Sequence, residues 1–191
     1  DYDPLDEPVV EDIEQRSGRL ELQLGHDFML GGGAGVTPFL GYGYRLHRDF
    51  GAGRNTQSGL AGFDRETEYS YVTAGLAAGI PLGGRKRLNL SGQYNFIVGG
   101  EVESRFSEID STAPDITLGF KGGHGLEASA MLSLPVGRRH ALNVGPFIRR
   151  WELNESESFT IANPDDPSET ITFVEPESRT TEIGLRVSFS F

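Results

Sequence analysis

Two groups of residues in this chain have the side-chain types of a hydrolytic site. His124, Glu127 and Ser129 lie close together in sequence and offer a base, an acid and a nucleophile. A Ser–His–acid site requires these groups within hydrogen-bonding distance, and in an extended strand His124 faces away from Glu127 and Ser129. His47 and Asp49 share one face and form a dyad without a nucleophile. We therefore predict no catalytic residues and no enzyme activity.

Metal, cofactor and nucleic-acid sites have equally little support. The chain contains four His and no Cys, and its His residues lack the spacing of metal ligands. The glycine run Gly31–Gly33 precedes no predicted helix, so we interpret it as a turn rather than a phosphate-binding loop. The net charge of −11 is unfavourable for contact with nucleic-acid phosphates. The sequence predicts no metal, no cofactor and no nucleic-acid partner.

Elsewhere in the chain, apolar residues alternate with polar or charged residues at a period of two. This pattern is typical of β-strands, because side chains alternate between the two faces of a strand. In 180–191, for example, Ile183, Leu185 and Val187 share an apolar face, while Glu182 and Arg186 lie on the other. Seven segments of this kind each have roughly the 9–11 residues that a tilted strand needs to cross a bilayer. They are 20–30, 38–49, 72–82, 88–103, 118–134, 142–151 and 180–191.

The connections between these segments differ in length and composition. Short turns follow residues 30, 82 and 134, and two of them are basic, at 85–87 and 138–140. The other connections are long, polar and acidic, and the last of them contains a predicted hairpin of 158–162 with 170–174. No apolar run approaches the ~18–20 residues of a transmembrane helix. Short turns on one side and long loops on the other are typical of up-and-down outer-membrane β-barrels.

Bacterial single-chain barrels have an even number of strands, so seven segments leave one strand missing. Closure also removes the sheet edges, which are costly in lipid. We therefore predict an eighth strand at 3–13, although its acidic residues make it a poor lipid-facing strand. The predicted fold is all-β: a single antiparallel up-and-down transmembrane β-barrel of eight strands over 1–191. Within it, 1–17 is an acidic N-terminal segment and 18–191 hold the clear strands.

Four stretches of the chain resemble the small eight-stranded outer-membrane β-barrel proteins, the OmpA-like and porin-family barrels. They are TPFLGYGYR at 37–45, DRETEYSY at 64–71, PFIRRW at 146–151 and TEIGLR at 181–186. The amphipathic last strand also resembles that of such barrels, which implies that Phe189 and Phe191 form an assembly signal. The resemblance implies the outer membrane of a Gram-negative bacterium. Outer-membrane lipid, lipopolysaccharide and the barrel-assembly machinery would then be its partners.

The charged face of the strands would line the interior of such a barrel, which in an eight-stranded barrel is just wide enough for side chains to fill. Buried charges must be paired, and acidic and basic residues occur on this face in equal number. We predict a plugged lumen held by an ion-pair network. Its members are Glu21, Asp27, Arg45, His47, Asp49, Lys121, Glu127, Arg149, Glu182 and Arg186.

The predicted role is structural or surface-interactive, and 154–174 is the segment best placed to contact an envelope or extracellular protein. A narrow channel for ions or small solutes is one alternative. A soluble, lipocalin-like ligand carrier is another, because the alternation of side chains does not decide which face lies inside. The chain begins at Asp1 without Met, as an exported protein would after removal of its signal peptide and as a shortened chain would.

Overall fold

The structure is a computed structural model that describes residues 14–54, 61–111, 113–137, 139–162 and 168–190. The fold is all-β, with 75% of the described residues in strands and 4% in helix. Two 3-10 turns, Gly31–Gly33 and Phe106–Glu108, interrupt the strands. The strands are β1 (Glu14–Gly25), β2 (Phe28–Met29), β3 (Gly35–Phe50), β4 (Arg65–Gly83), β5 (Lys86–Ser104), β6 (Ile116–Gly119), β7 (Gly123–Val136), β8 (His140–Leu153), β9 (Phe159–Ala162), β10 (Thr170–Phe173) and β11 (Ser178–Ser190).

Nine of these strands form one antiparallel sheet that is curled into a half-barrel. Its order is β1-β3-β4-β5-β7-β8-β11, so each long strand pairs with the next one along the chain; β2 also pairs with β3, and β6 with β5. The remaining two strands, β9 and β10, form a hairpin in which Phe159 lies opposite Phe173. The predicted antiparallel all-β fold and the predicted hairpin near 158–174 are confirmed.

The two ends of the sheet differ, and we name them by their connections. At the turn side, β4 joins β5 through Gly83, Gly84 and Arg85, all of which have positive φ, and β7 joins β8 through Gly137, with φ of 72°. The Arg85 guanidinium also donates a hydrogen bond to the Gly137 carbonyl at 3.0 Å, which links these two turns. At the loop side lie the long connections after β3, β5 and β8.

The convex face of the sheet carries an apolar band made of exposed side chains from every long strand. Leu20, Leu24, Ile183 and Leu185, on the two edge strands, are each 77% exposed. The band comprises Leu20, Leu22, Leu24, Leu40, Tyr42, Val72, Leu76, Ile80, Leu90, Phe96, Val98, Leu126, Ile148, Ile183, Leu185, Val187 and Phe189.

The concave face holds the buried side chains, including an aromatic cluster near the loop side. Trp151 is 1% exposed and meets the rings of Tyr69 and Tyr71 edge-on, with centroids 5.3 and 5.1 Å away. Two glycines make room for these rings: a Cβ at Gly43 would overlap Tyr71, and one at Gly125 would overlap Trp151. Glycine is required here by close packing rather than by backbone conformation.

A register shift changes which residues of β5 face inward. Ser70 pairs with Gly99 and Tyr71 with Ile97, so Val98 is an extra residue that forms a bulge. On the turn side of the bulge Asn95 is buried and Phe96 is exposed, whereas beyond it Val102 is only 1% exposed. The bulge therefore turns Val102 inward and leaves Glu101 and Glu103 on the convex face.

A matching irregularity lies on the neighbouring strand, between β6 and β7. Gly122 and Gly123 have φ of 120° and 155°, and β6 turns Ile116 and Leu118 inward while β7 leaves Leu126 exposed. We call the part of the sheet beyond these two irregularities, with its loops, the loop-side region, and the remainder the turn-side region. The loop-side region has its own apolar cluster of Val102, Ile116 and Leu118.

Several sequence-based predictions need correction or lie beyond the described residues. Regular alternation through 88–103 and 118–134 predicts Val102 and Leu118 on the same face as the apolar band, and the two irregularities place them inside instead. The first strand begins at Glu14 rather than at Leu20, so part of the acidic segment 1–17 belongs to β1. The predicted strand at 3–13 lies outside the described residues. Among the residues that the structure describes, no helix is long and apolar enough to cross a membrane.

Candidate functional site

Glu127 is the centre of a charged cluster on the concave face. Its carboxylate accepts hydrogen bonds from three guanidinium groups, those of Arg19 (2.6 Å), Arg149 (2.8 Å) and Arg186 (2.5 Å). These arginines come from β1, β8 and β11, and the Glu127 side chain is only 4% exposed. Three cations around one buried carboxylate keep Glu127 ionised. Glu127 therefore ties both edge strands of the half-barrel to its middle.

A second carboxylate, Glu182, extends this cluster towards the loop side. Glu182 lies 2.9 Å from Arg149 Nη1 and 2.5 Å from Arg45 Nη2. The Arg45 guanidinium also lies over the Trp151 ring, 5.2 Å from its centroid. With Glu21, whose carboxylate is 3.6 Å from Arg19, these residues form what we call the interior network: Arg19, Glu21, Arg45, Glu127, Arg149, Glu182 and Arg186.

Uncharged polar groups complete the concave face around Glu21. The Tyr71 hydroxyl donates to Glu21 at 2.5 Å, and the Gln93 amide donates to Glu21 at 3.4 Å and to Asn95 at 3.1 Å. Because these bonds and the ion pairs link residues from most of the strands, the concave face of the turn-side region is lined by polar side chains that bind one another. This arrangement stabilises the sheet.

A separate polar group lies at the loop side, around His47. His47 Nε2 is 3.1 Å from Asp49 Oδ1, and the other ring nitrogen, Nδ1, is 2.9 Å from Ser17 Oγ. Asp49 also pairs with Arg65 at 3.3 Å, and Arg65 pairs in turn with Glu175. Burial raises the pKa of Glu175; Arg65 offsets part of this rise, and the nearby carboxylate of Asp49 adds to it.

The Ser17–His47–Asp49 chain has the composition of a hydrolytic triad, which sequence reasoning missed because Ser17 and His47 are far apart in sequence. The register of β1 and β3 places them side by side. Ser17 itself is exposed and does not line the cavity next to His47. Hydrolysis also requires a substrate that is held against the nucleophile. We therefore interpret the contacts of His47 with Ser17 and Asp49 as contacts that fix the orientation of the His47 ring.

The structure brings together six of the ten residues predicted for the network: Glu21, Arg45, Glu127, Arg149, Glu182 and Arg186. His47 and Asp49 belong to the loop-side group instead. Asp27 lies between β1 and β2, where it accepts a hydrogen bond from Thr37. Lys121 lies in the break between β6 and β7, 55% exposed and 3.7 Å from Glu155. Neither of these last two residues joins the network.

Three charged residues of these groups were missed. Arg19 lies one position before the predicted start of the first strand, yet it shares the parity of Glu21 and would have been included had the strand been extended. Arg65 and Glu175 lie at the edge of predicted loops, where alternation gives no signal.

Phe189, one of the two predicted assembly-signal residues, lies in the apolar band. Phe191 is outside the described residues.

The other candidate catalytic and ligand-binding groups do not converge. His124 stacks on Tyr94 with centroids 5.7 Å apart and lies 3.5 Å from Glu152, while the Ser129 hydroxyl bonds that of Ser91 at 2.7 Å. Within the described ranges, no group of three or more His, Asp or Glu side chains has the geometry of a metal site.

Comparison with known proteins adds no family. No protein-family model matches the chain, and no curated protein matches it.

Proposed function

We propose that this protein is an integral outer-membrane β-barrel of a Gram-negative bacterium, with a plugged, charge-paired interior and a structural or surface-interaction role. The observation that carries the proposal is the polarity of the turn-side region, where the convex face is apolar and the concave face is charged. A contiguous exposed apolar patch larger than a few hundred Å² is unusual in a soluble monomer. A lipid-facing strand needs this arrangement, because lipid favours apolar side chains and buried charges need partners.

The lengths of the apolar runs fit a bilayer. On β4 the exposed apolar residues extend from Val72 to Leu82, a run of the length that a tilted strand needs to cross the hydrocarbon core, roughly 9–11 residues. Beyond Val72 the convex face of the same strand carries Glu68 and Glu66. At the other end, Arg85–Arg87 follow the run. Charged residues therefore bracket the apolar band on both sides, as water and head groups would require.

The two edge strands support closure of the half-barrel. β1 and β11 both run from the loop side to the turn side, and Arg19 and Arg186 on them reach the same carboxylate, Glu127. Two strands that run in the same direction cannot pair with each other in an antiparallel sheet, so a strand that runs in the opposite direction must lie between β1 and β11. We propose that 3–13 supplies this eighth strand, with which the chain has an even strand number.

The same polarity argues against a soluble, lipocalin-like carrier. Such a carrier would place Leu22, Leu76 and Leu185 around its ligand and Glu127 on its surface. The structure has the reverse placement, since these leucines are 71%, 52% and 77% exposed. A channel is less favoured, because a conducting path would have to pass the ion pairs that Glu127 makes across the interior with Arg19 and Arg186. An envelope or extracellular protein partner would meet the loop-side region, where the β9–β10 hairpin lies.

The experiment that tests the proposal is heat modifiability. The full chain, expressed with an export signal, is recovered from membrane and soluble fractions and run on SDS gels with and without boiling. We expect it in the outer-membrane fraction, soluble only with detergent, with a faster band that shifts on boiling. A chain that lacks residues 1–13 should lose the fast band if that segment closes the barrel. A protein that stays soluble without detergent and shows no shift would contradict the proposal.

A further inference from the structure

A cavity of about 230 Å³ lies on the concave face at the loop side, next to the interior network. Since a water molecule takes up about 30 Å³ of liquid, the cavity has room for a small solute, although it is below the ~300 Å³ of typical drug-binding pockets. Its wall includes residues from β1, β3, β4, β8 and β11, among them Arg45, Tyr69 and Trp151. The polar side of the wall is formed by the His47, Asp49, Arg65 and Glu175 group.

Two buried hydrogen-bond donors in this wall lack acceptors. Arg45 and Trp151 are 3% and 1% exposed, and neither Arg45 Nη1 nor Trp151 Nε1 has a hydrogen-bond partner among the described residues. A buried donor without an acceptor costs about 1–3 kcal/mol, and more when the group is charged. Such groups are retained where a ligand or water completes their bonding.

The chemistry of these donors defines the ligand. A guanidinium and an indole N–H can only donate, so both require an acceptor; Arg45 pairs with Glu182 through Nη2, and its Nη1 is left for an acceptor atom of the ligand. The Arg45 guanidinium lies 5.2 Å from the centroid of the Trp151 ring, so the two groups are close enough to bind one small molecule. Arg65 pairs with both carboxylates of the wall, Asp49 and Glu175, and offsets part of their negative charge. Asp49 Oδ1, 3.1 Å from His47 Nε2, is a further buried atom without a hydrogen-bond partner among the described residues.

The wall also has an apolar part, formed by Phe120, Leu153 and the ring of Tyr69, which lies beside polar residues such as Thr67 and Ser178. An inorganic anion would leave these surfaces without a partner, whereas an organic acid would cover them. We propose that this cavity binds a small organic carboxylate, whose oxygens accept hydrogen bonds from Arg45 Nη1 and Trp151 Nε1. The proposal depends on the cavity alone and holds whether or not the barrel lies in a membrane, so its failure is distinct from failure of the proposed function.

The chain carries its own reporter for this site, because Trp151 is the single Trp in the sequence. The full folded chain, in detergent if it requires one, is titrated with benzoate, acetate and inorganic phosphate while Trp fluorescence is followed, and affinities are checked by calorimetry. We expect saturable binding of benzoate, weaker binding of acetate and still weaker binding of phosphate. Binding of phosphate without binding of a carboxylate would overturn the proposal. The proposal would also be overturned if neither benzoate nor acetate showed saturable binding at concentrations up to about 10 mM.

Two variants and a control assign the binding to these residues. Arg45→Lys keeps the charge but removes the planar fork, and Trp151→Phe removes the N–H, so each should weaken benzoate binding at least about tenfold by calorimetry. Arg48→Lys is the control and should leave benzoate affinity unchanged, because Arg48 lies on the same strand as Arg45, is 47% exposed, pairs with Glu66 and does not line the cavity. Should Arg45→Lys fail to fold, Trp151→Phe alone decides. Equal benzoate affinity in a folded Trp151→Phe variant and the parent chain would overturn the proposal.

Discussion

The turn-side and loop-side regions of this sheet have opposite polarity, although the same strands run through both. In the turn-side part of β5, Asn95 faces inward and Phe96 faces outward. In its loop-side part Val102 faces inward, while Glu101 and Glu103 face outward. Around β5 and β6 the loop-side region is thus arranged as a protein in water, with apolar side chains inside and charged side chains outside. On our proposal, the two regions lie in different solvents.

On this proposal, one extra residue adapts β5 to a change of solvent along the strand. Without the bulge at Val98, the regular alternation of β5 would turn Glu101 and Glu103 inward and leave Val102 outside. The break at Gly122 and Gly123 does the same for the neighbouring strand. Both irregularities lie at one level of the sheet, since Ile97 pairs with Gly123. This level is where we place the outer edge of the apolar band.

The two regions should also differ in how they respond to the loss of one side chain, and the largest effect is expected at Glu127. Glu127→Gln leaves Arg19, Arg149 and Arg186 without their shared carboxylate, and breaking a buried ion pair costs about 3–5 kcal/mol. We expect this loss in the free energy of unfolding, measured by urea titration of the purified protein.

The matched control for Glu127→Gln is Glu103→Gln in the loop-side region. Glu103 is 39% exposed and lies 3.5 Å from Arg105, so its removal should cost about 0–1 kcal/mol. Equal losses for the two variants would mean that the interior network does not stabilise the turn-side region.

The second-largest effect is expected on the convex face, where the two regions should differ in how well they tolerate a charged side chain. Leu76 lies near the middle of the apolar run of β4 and is 52% exposed. If this face meets lipid, Leu76→Arg should destabilise the protein by about 2–4 kcal/mol, measured by urea titration in lipid vesicles. Glu101→Arg, on the convex face of the loop-side region, should change stability by no more than about 0.5 kcal/mol. A harmless Leu76→Arg would place the turn-side convex face in water.

Burial of apolar side chains should stabilise the loop-side region, with a smaller effect than either change above. Val102 packs with Ile116 and Leu118, and Val102→Ala removes two buried carbons, which should cost about 2 kcal/mol. Val98→Ala, four residues away at a position that is 60% exposed, should cost much less. Limited proteolysis of the loop-side region gives the measurement, and we expect faster cleavage only in the Val102 variant.

The smallest effect is expected from pH, through Glu175 in the loop-side region. Its raised pKa means that the folded protein binds this proton more tightly than the unfolded chain, whose Glu titrates near 4.3. The contribution of Glu175 to stability is therefore highest below about pH 4.3 and is lost as the pH rises through the raised pKa. Glu175→Gln should flatten this part of the stability profile. Glu177→Gln, at a side chain that is 70% exposed, should leave the profile unchanged.

The sequence predicted the parts of the fold that depend on alternation. Strands such as β11, where Ile183 and Glu182 face opposite sides, follow from period two, and the short turns follow from glycine and from the interrupted alternation. The core of the site was equally predictable, because Glu127, Arg149 and Glu182 lie within regular strands. Alternation within each strand places these side chains on the polar face of the sheet, and a buried charge requires a partner of opposite charge.

The rest depended on backbone irregularities that leave no periodic signal. The bulge at Val98 and the break at Gly122 reversed the parity of Val102 and Leu118 and placed Lys121 outside the network. A bulge is defined by the pairing of two strands, so one strand read alone does not reveal it. The contact of Ser17 with His47 likewise depends on the register of β1 against β3.

On the convex face of β4, the charged residues Glu66 and Glu68 are followed by the apolar Val72, Leu76 and Ile80, and a cysteine scan of this strand tests whether the change marks the boundary of the lipid. The chain has no native Cys, so single Cys residues at Glu66, Glu68, Val72, Leu76 and Ile80 can be labelled without background. The protein is placed in lipid vesicles, and each site is probed with a water-soluble thiol reagent and, after fluorescent labelling, with a lipid-soluble quencher. We predict reaction with the water-soluble reagent at 66 and 68, and quenching from lipid at 72, 76 and 80. Equal reaction with the water-soluble reagent at all five sites would contradict the account.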